Sequence, residues 1–562
     1  MESEELKKKF LNFFKEKGHK VFPASSLIPE GDPSVLFTTA GMQQFKSFYI
    51  NPENAPYLRI ATIQPCIRTS DIDEVGDEYH LTFFEMLGNF SFGYPKFKNS
   101  YFKEEAIKWA WEFLVDVLKI EKERISVSYF SGEKNIPSDE ESLIILKSIK
   151  DLPKSKIKGM GLKETFWSLG QEGAPAGRTV EFYIDGIEVW NLVFNEYIFE
   201  KGEYKPSLYK GVDTGMGLER LLAVIMKEKD VFKTPVFWPL ILIIEKNLGL
   251  KYEENKEVFR IIADHIKAAV FLTKEGIIPS NKDQGYISRR LIRRALMNIF
   301  KYKEEIDWLK DLISEVCEIY NFGTKETDIK EIIFAEMLKF KNTLNLGKKI
   351  IEKLEVLDAK KAFDLYQTYG LPFEFTKEYA KEKGVEINEK DFRKELKRHQ
   401  ALSRSASKGM FKGGLAGKSK EIVKLHTATH LLLASLRKIL GNHVVQKGSN
   451  ITEERLRLDF SHPKKLTEEE LKKVEDLVNE KIKEGLPVEM RELKLSEAKK
   501  EAALGVFDDR YGEIVRVYSI GDFSKEICGG PHVENTKELG HFKIIKEEAV
   551  SRDTRRIRAI LE

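Results

Sequence analysis

Two residue pairs with metal-ligand chemistry stand near the C-terminal end. His426 and His430 lie in HTATH, four residues apart. On a helix that spacing puts both imidazoles on one face, within reach of one ion. Cys528 and His532 lie in CGGPH, also four apart. Three imidazoles and one thiolate make a tetrahedral Zn2+ site, provided the fold brings the distant pairs together. The same residues also suit two packed helix histidines beside an unrelated loop cysteine. HTATH lacks the Glu of H-E-x-x-H, so a metalloprotease base is missing.

Three earlier segments carry charge in forms that suit a nucleotide or an amino acid. GVDTGMGLER (211–220) flanks the carboxylate of Asp213 with glycines and ends on Arg220. The glycines allow close backbone approach to a ligand, the carboxylate can hold an ammonium group, and the guanidinium can pair with phosphate. No G-x-x-x-x-G-K-[ST] occurs here, so this is not a Walker A loop, and a Gly-rich turn into a charged helix is the plain alternative. QPCIRTSDIDEVGDEYHLTFFEMLGNF (64–90) reads as strand, acidic loop, strand. It sets Arg68 across from Phe83, Phe84 and Glu85, which suits a nucleotide and equally a surface Arg on a core hairpin. YISRRLIRR (286–294) places Arg289, Arg290, Arg293 and Arg294 on one helix. Like charges at i, i+4 repel mildly. Either a phosphate-bearing partner or an acidic neighbouring helix would offset that.

These residues need elements to position them. Short β-rich runs at 35–39 (VLFTT), 59–63 (RIATI) and 181–184 (EFYI) predict strands. Helices are expected over 4–17 and 103–118. Strands and helices do not alternate strictly, so the expected fold class is α+β with an antiparallel or mixed sheet. Apolar residues at 3–4 spacing in 257–272, 286–300 and 328–345 predict a helical domain. SRSASKGMFKGGLAGKSK (403–420) has the composition of a linker. A further α+β region follows, with an amphipathic helix over 466–485 whose Thr467 and Glu470 fit a capping box. The expected domains are therefore 1–228, 229–402 and 421–562, with 403–420 between the last two.

Composition bounds the class. The 562 residues leave room for about three to five folding units. Lys+Arg is 93 and Asp+Glu is 90, so a nucleic-acid partner would have to be met by a local patch rather than by the +3 sum. Three cysteines, Cys66, Cys317 and Cys528, are too few for a disulfide framework and argue for a reducing compartment. The N-terminus MESEELKKKF has no apolar core of the signal-peptide kind. The longest apolar run, 236–244, contains Pro239 and is too short to span a bilayer.

Taken together, the motifs resemble the alanyl-tRNA synthetase family over nearly the whole chain. The likeness rests first on DPSVLFTTAGMQQFK (32–46), LTFFEMLGNFSFG (81–93), WNLVF (190–194) and VDTGMGLER (212–220). It continues through IADHIKAAVFLTKEGIIPSN (262–281), GYISRRLIRRA (285–295) and LYQTYGLP (365–372). It ends with GGLAGKSKEIVKLHTATHLLLASL (413–436), QKGS (446–449), IGDFSKEICGGPHV (520–533) and RRI (555–557).

The resemblance implies a class II catalytic domain, an antiparallel sheet flanked by helices. A helical domain that recognises the tRNA acceptor stem would follow, then an α+β zinc-containing editing domain. It implies a cytoplasmic enzyme that joins L-alanine to tRNA(Ala) using ATP and Mg2+. By similarity, Arg68 contacts the α-phosphate and the alanine carboxylate, and Arg220 the γ-phosphate and the adenine face. Phe84, Glu85 and Gly217 help to hold the nucleotide, and Asp213 binds the alanine ammonium. Met42, Trp167, Val193 and Gly215 shape the methyl pocket, with Asn191 close by. A small apolar pocket rejects glycine or serine by only about 10–200-fold, which is the physical reason for a second, hydrolytic site. His426, His430, Cys528 and His532 match the zinc residues of that editing domain, and Gln446 matches a polar residue of its pocket.

Five departures from the family pattern bear on these expectations. Arg68 runs into TSDIDEVG, a short acidic loop without the family's Lys. GAPAGRTVEF (173–182) stands where bacterial relatives carry cysteines. Gln367 stands where an Asp helps to read the acceptor-stem G·U pair, with Asn298 near the other reading position. Pro531 replaces a commoner Thr. The family's C-terminal domain is not seen after the editing motifs, so a monomer is expected.

Overall fold

The computed structural model describes residues 1–562 apart from 30–34, 134, 353, 355, 356, 383, 384, 399–418, 501–513, 552 and 553. The chain divides into two compact units, Met1–Glu352 and Lys353–Glu562.

In the first unit, the strands are β1 Lys20–Val21, β2 Arg59–Ile67, β3 Phe83–Tyr94, β4 Ile125–Phe130, β5 Ile157–Met160, β6 Phe166–Ser168, β7 Pro175–Ile184, β8 Ile187–Glu200 and β9 Glu203–Gly217. Among the described residues they form one sheet in the order β1-β2-β3-β9-β8-β7-β4-β5, with β6 on β7. Only β1/β2 and β4/β5 are parallel. The antiparallel middle follows from local turn chemistry. Asp185-Gly186 and Lys201-Gly202 link β7 to β8 and β8 to β9, and all four residues have positive φ. Such two-residue turns match the twist of the strands they join. β3 is buried along nearly its whole length, as a central strand covered on both faces must be. The N-terminal helix Ser3–Glu16 turns Leu6, Phe10, Phe13 and Phe14 inward, and Phe10 and Phe14 meet Trp190 of β8.

Two expectations change here. VLFTT (35–39) is not a strand. Thr38 donates to Leu27 and accepts from Ile67, so this apolar run lies over the end of β2 without a ladder of its own. The helix expected over 103–118 is α-helical at Lys103–Glu112 and continues as a wider π turn at Phe113–Val117. Helices Lys256–Lys274, Asp283–Ile299 and Glu326–Glu352 form where the apolar spacing predicts them. The expected boundary at 228 lies inside the first unit. Helix Lys256–Lys274 shares the sheet's core, and its Phe271 stacks on Phe83 of β3 with ring centroids 3.6 Å apart.

The second unit carries helix Lys420–Leu440, capped by Ser419, and helix Glu468–Glu484. The Thr467/Glu470 capping box is present. Its strands are β10 Gln446–Ile451, β11 Leu456–Ser461, β12 Val488–Lys494, β13 Ile514–Ile520, β14 Ser524–Ile527, β15 Phe542–Ser551 and β16 Thr554–Leu561. Two antiparallel sheets result among the described residues, β10-β11-β16-β15 and β12-β13-β14. Leu431, Leu458, Phe460, Val478 and Ile557 join the first sheet and both helices in one core. Residues 403–418 of the expected linker lie outside the described residues.

Candidate active site and candidate metal centre

A cavity of about 320 Å³ opens on the first sheet. Arg68, Phe84, Trp167, Asn191, Val193, Asp213, Gly215, Gly217 and Arg220 all line it, as the motifs suggest. Register explains the convergence. Val193 pairs with Asp213 and Asn191 with Gly215 on adjacent strands, so all four share one face. Arg68 stands at the end of β2 with its guanidinium 4.9 Å from the Phe84 ring centre. Arg220 lies in the first turn of helix Leu218–Ile225, 5.5 Å from the Tyr79 ring centre and 3.8 Å from a Glu188 oxygen.

Asp213 is 7% exposed and has no ion-pair or hydrogen-bond partner among the described residues. Burial alone raises its carboxyl from 3.8 to about 7. Gly215 is kept bare by Met86, because a Cβ there would come within 2.9 Å of the Met86 sulfur.

Two expected site residues sit elsewhere. Met42 is buried in an aromatic cluster with Phe45 and Phe90 against which Trp167 packs, so it backs the wall rather than lining it. Glu85 lies between Phe84 and Met86, and strand alternation turns it to the other face. There its carboxylate meets Lys7 at 2.7 Å. Tyr79, His80, Met86, Glu188 and Glu219 also line the cavity; all but Glu188 lie within the quoted segments, but no role was expected of them. Tyr79 and His80 come from the acidic loop, which folds back onto the site.

That loop is tied to the helices behind it. Arg260 donates to Gly76, the Thr82 N–H donates to Asp264, and Arg294 donates to Ile72 and to His265. Arg290 pairs with Asp73 at 2.7 Å, and Arg289 and Arg293 share the buried Glu336. The run 286–294 is therefore not a free basic face, because loop carbonyls and carboxylates offset its repulsion. Asn298 is buried and donates to the Arg294 carbonyl of its own helix. Gln367 lies in helix Ala359–Tyr369, and its side chain is outside the described residues.

In the second unit, His426, His430, Cys528 and His532 place their ligand atoms within 4.8 Å of one another. The alternative of unrelated residues is therefore set aside. His426 Nδ1 donates to the Pro531 carbonyl at 3.1 Å, leaving Nε2 3.4 Å from the Cys528 sulfur. His532 Nδ1 meets Thr427 at 3.1 Å, and its buried Nε2 has no partner. Thus second-sphere contacts turn two imidazoles so that their other nitrogens face the cluster. Burial lowers His426 to about 3 and His430 to about 4, so both are neutral and free to ligate. Burial raises Cys528 to about 11, and the N–H groups of Gly530 and Gly529 oppose that. Neutral imidazoles, a sulfur and an orphaned buried nitrogen fit a tetrahedral metal ion. Gln446 opens β10, on which helix Lys420–Leu440 packs, and donates to Ser449 at 3.1 Å.

A charged cavity on a largely antiparallel sheet defines the class first. The family described as class II (A) tRNA synthetases matches residues 5–446, and the second additional domain of threonyl and alanyl tRNA synthetases matches 515–558. The chain is 43% identical to the alanine–tRNA ligase of Borrelia hermsii, covering 100% of this chain and 100% of that protein. It is 43% identical to the Treponema denticola enzyme, covering 100% and 99%, and 37% identical to that of a Thermotoga species, covering 100% and 80%. The chain belongs to the alanine–tRNA ligase family of class II synthetases.

Proposed function

We propose that this chain joins L-alanine to tRNA(Ala) at the first cavity and hydrolyses mischarged seryl- and glycyl-tRNA(Ala) in the second unit. The observation that carries the reading is the buried, partnerless carboxylate of Asp213 in a cavity that also holds two guanidinium groups. Asp213 receives the ammonium of alanine, and Gly215 leaves room for the methyl group. Arg68 draws together the amino-acid carboxylate and the α-phosphate of ATP. Attack of that carboxylate on the α-phosphorus displaces pyrophosphate. A 3′-terminal hydroxyl of the tRNA then attacks the alanyl carbonyl, and AMP leaves. The protein contributes position and charge stabilisation rather than covalent chemistry. Phe84 and Arg220 offer a ring and a cation to the nucleotide. Asp71, Glu188 and Glu219 also place carboxylate oxygens on the wall, and Mg2+ would enter with ATP. When bound, that ion supplies charge neutralisation at the phosphates.

In the second unit, His426, His430, Cys528 and His532 would hold Zn2+. When bound it supplies a fixed positive charge and cross-links helix Lys420–Leu440 to the turn after β14. Gln446 offers an amide to the edited aminoacyl group. No helix among the described residues is long and apolar enough to cross a membrane. Alanine-dependent ATP–pyrophosphate exchange tests the synthetic half, and deacylation of seryl-tRNA(Ala) tests the hydrolytic half. No exchange above background at saturating alanine overturns the reading of the first cavity.

A further inference from the structure

The loop that runs from β2 to β3, residues 68–82, supplies Asp71, Tyr79, His80 and Leu81 to the cavity wall. Its Asp77 carboxylate accepts from the N–H groups of Tyr79 and His80 at 3.1 and 2.8 Å, which shapes the tip. A chain of three side chains from the helices behind ties this loop near its start and at its end. The Thr82 N–H donates to Asp264 Oδ1 at 2.9 Å. Asp264 Oδ2 accepts from His265 Nδ1 at 2.9 Å, and His265 Nε2 accepts from Arg294 Nη1 at 2.7 Å. The same Nη1 donates to the Ile72 carbonyl, and Nη2 donates to the Val75 carbonyl at 3.5 Å. Asp264 and His265 are wholly buried.

The polarity of this chain is fixed from both ends. A guanidinium and a backbone N–H can only donate. Arg294 therefore makes His265 Nε2 an acceptor. Burial lowers the His265 imidazole from its ordinary value, so the ring is neutral and its one proton sits on Nδ1. Asp264 then accepts at both oxygens, from the ring and from Thr82. The three side chains stand behind the loop rather than on the cavity wall. We infer that Asp264, His265 and Arg294 are positioning residues for the nucleotide end of the cavity: together they staple the loop at Ile72 and Thr82, so that Tyr79 and His80 stand preformed beside Arg220. This deepens the proposed function and rests on its assignment of ATP to that end. Tyr79 marks the end, because its ring centre lies 5.5 Å from the Arg220 guanidinium. The alanine end is built differently. Asp213, Gly215 and Val193 are held by the pairing of β8 with β9, and Arg68 follows the pairing of β2 with β3.

Two variants test this by pyrophosphate exchange and by amide hydrogen exchange. In Asp264→Asn the amide must turn its oxygen to the Thr82 N–H, so its nitrogen meets the proton on His265 Nδ1. The ring can relieve that clash only by moving its proton to Nε2, where it meets Arg294. Arg294→Lys keeps the charge but loses the fork that spans Ile72, Val75 and His265. If either change leaves the loop in place about a tenth of the time, the ATP KM rises about tenfold. The expected result is a rise of at least about fivefold in both variants, with the alanine KM within about twofold. In the ligand-free variants, amide hydrogen exchange should quicken at 69–82 and not in β8 or β9. Pyrophosphate exchange needs no tRNA, so an Arg294 that served only RNA would move neither readout. A purely structural role predicts that both KM values and the hydrogen exchange of the whole sheet move together. That pattern, or an unchanged ATP KM in either folded variant, overturns the inference. Should Asp264→Asn fail to fold, Arg294→Lys carries the test alone. Absence of alanine-dependent exchange in the parent counts against the proposed function, whereas the amide exchange of the loop still reads the staple, so the two failures are distinct.

Discussion

Replacing Asp213 by Asn should make the protein more stable and nearly inactive at once. The carboxyl is buried, 7% exposed, and lacks a partner among the described residues, so its charge awaits what binds in the cavity. At about 1.4 kcal/mol per tenfold, the gap between 3.8 and about 7 is worth on the order of 4 kcal/mol against the folded state once the group ionises. The sign follows from linkage. The folded-state value is raised, so the folded state binds the proton more tightly. The group's contribution to stability is therefore fully present below 3.8 and is lost as pH rises through about 7. Asp213→Asn removes that loss. Its advantage over the parent should be near zero at pH 4 and should grow to its full size by pH 8. The first thermal transition of the ligand-free protein should then rise by several degrees at pH 8.

Function should move the other way. Losing one partner of a buried charge pair costs about 2–5 kcal/mol, which is roughly 30- to several-thousand-fold in kcat/KM for alanine. In the parent, the same proton must leave before the ammonium can pair. The parent's kcat/KM for alanine should therefore fall about tenfold per pH unit below about 7. The assays are scanning calorimetry across pH and pyrophosphate exchange. A variant no more stable than the parent at pH 8, or one with the parent's alanine KM, would refute the reasoning, because both effects come from one uncompensated charge.

Two further outcomes follow from the same geometry. Gly215→Ala puts a Cβ 2.9 Å from the Met86 sulfur and into the space assigned to the substrate methyl group. The alanine KM should rise at least about tenfold, at an overpacking cost of about 1–3 kcal/mol, while the ATP KM is unchanged. Cys528→Ala should lower the zinc content from about one per chain toward zero by elemental analysis and should melt the second unit earlier, since structural metal binding contributes to folding. Zinc bound at full stoichiometry in that variant would remove Cys528 from the ligand set.

Much of this was legible in the chain before its fold. The Thr467/Glu470 box and the 3.6-residue stripes of the long helices depend on neighbours a few residues away. The two His and Cys/His pairs were legible as pairs, and their meeting depends on tertiary structure. Period-2 alternation already separates Glu85 from Phe84 and Met86, so its place behind the sheet was open to the same rule that put Phe84 in front. The acids that engage the arginine run were not legible. Glu336 comes from a later helix and Asp73 from an earlier loop, and neither has a spacing signal that ties it to residues 289–294.

Burial of charge does not by itself mark either site. Lys103 is wholly buried, yet it meets Asp139 at 2.7 Å and Glu196 at 3.4 Å, and Arg178 completes the group on Glu196. Lys267 and Glu219 are buried together at 3.2 Å. In such pairs each charge is compensated within the fold, so breaking one leaves its partner stranded and costs stability. Asp213 and His532 Nε2 are buried too, but no partner completes them among the described residues. Each penalises the ligand-free fold, and each is relieved only by a donor or cation from outside. The substitution that separates these cases is one that removes the polar atom without changing shape. It destabilises a structural network such as that of Lys103, and it stabilises the ligand-free protein at Asp213 while abolishing recognition there.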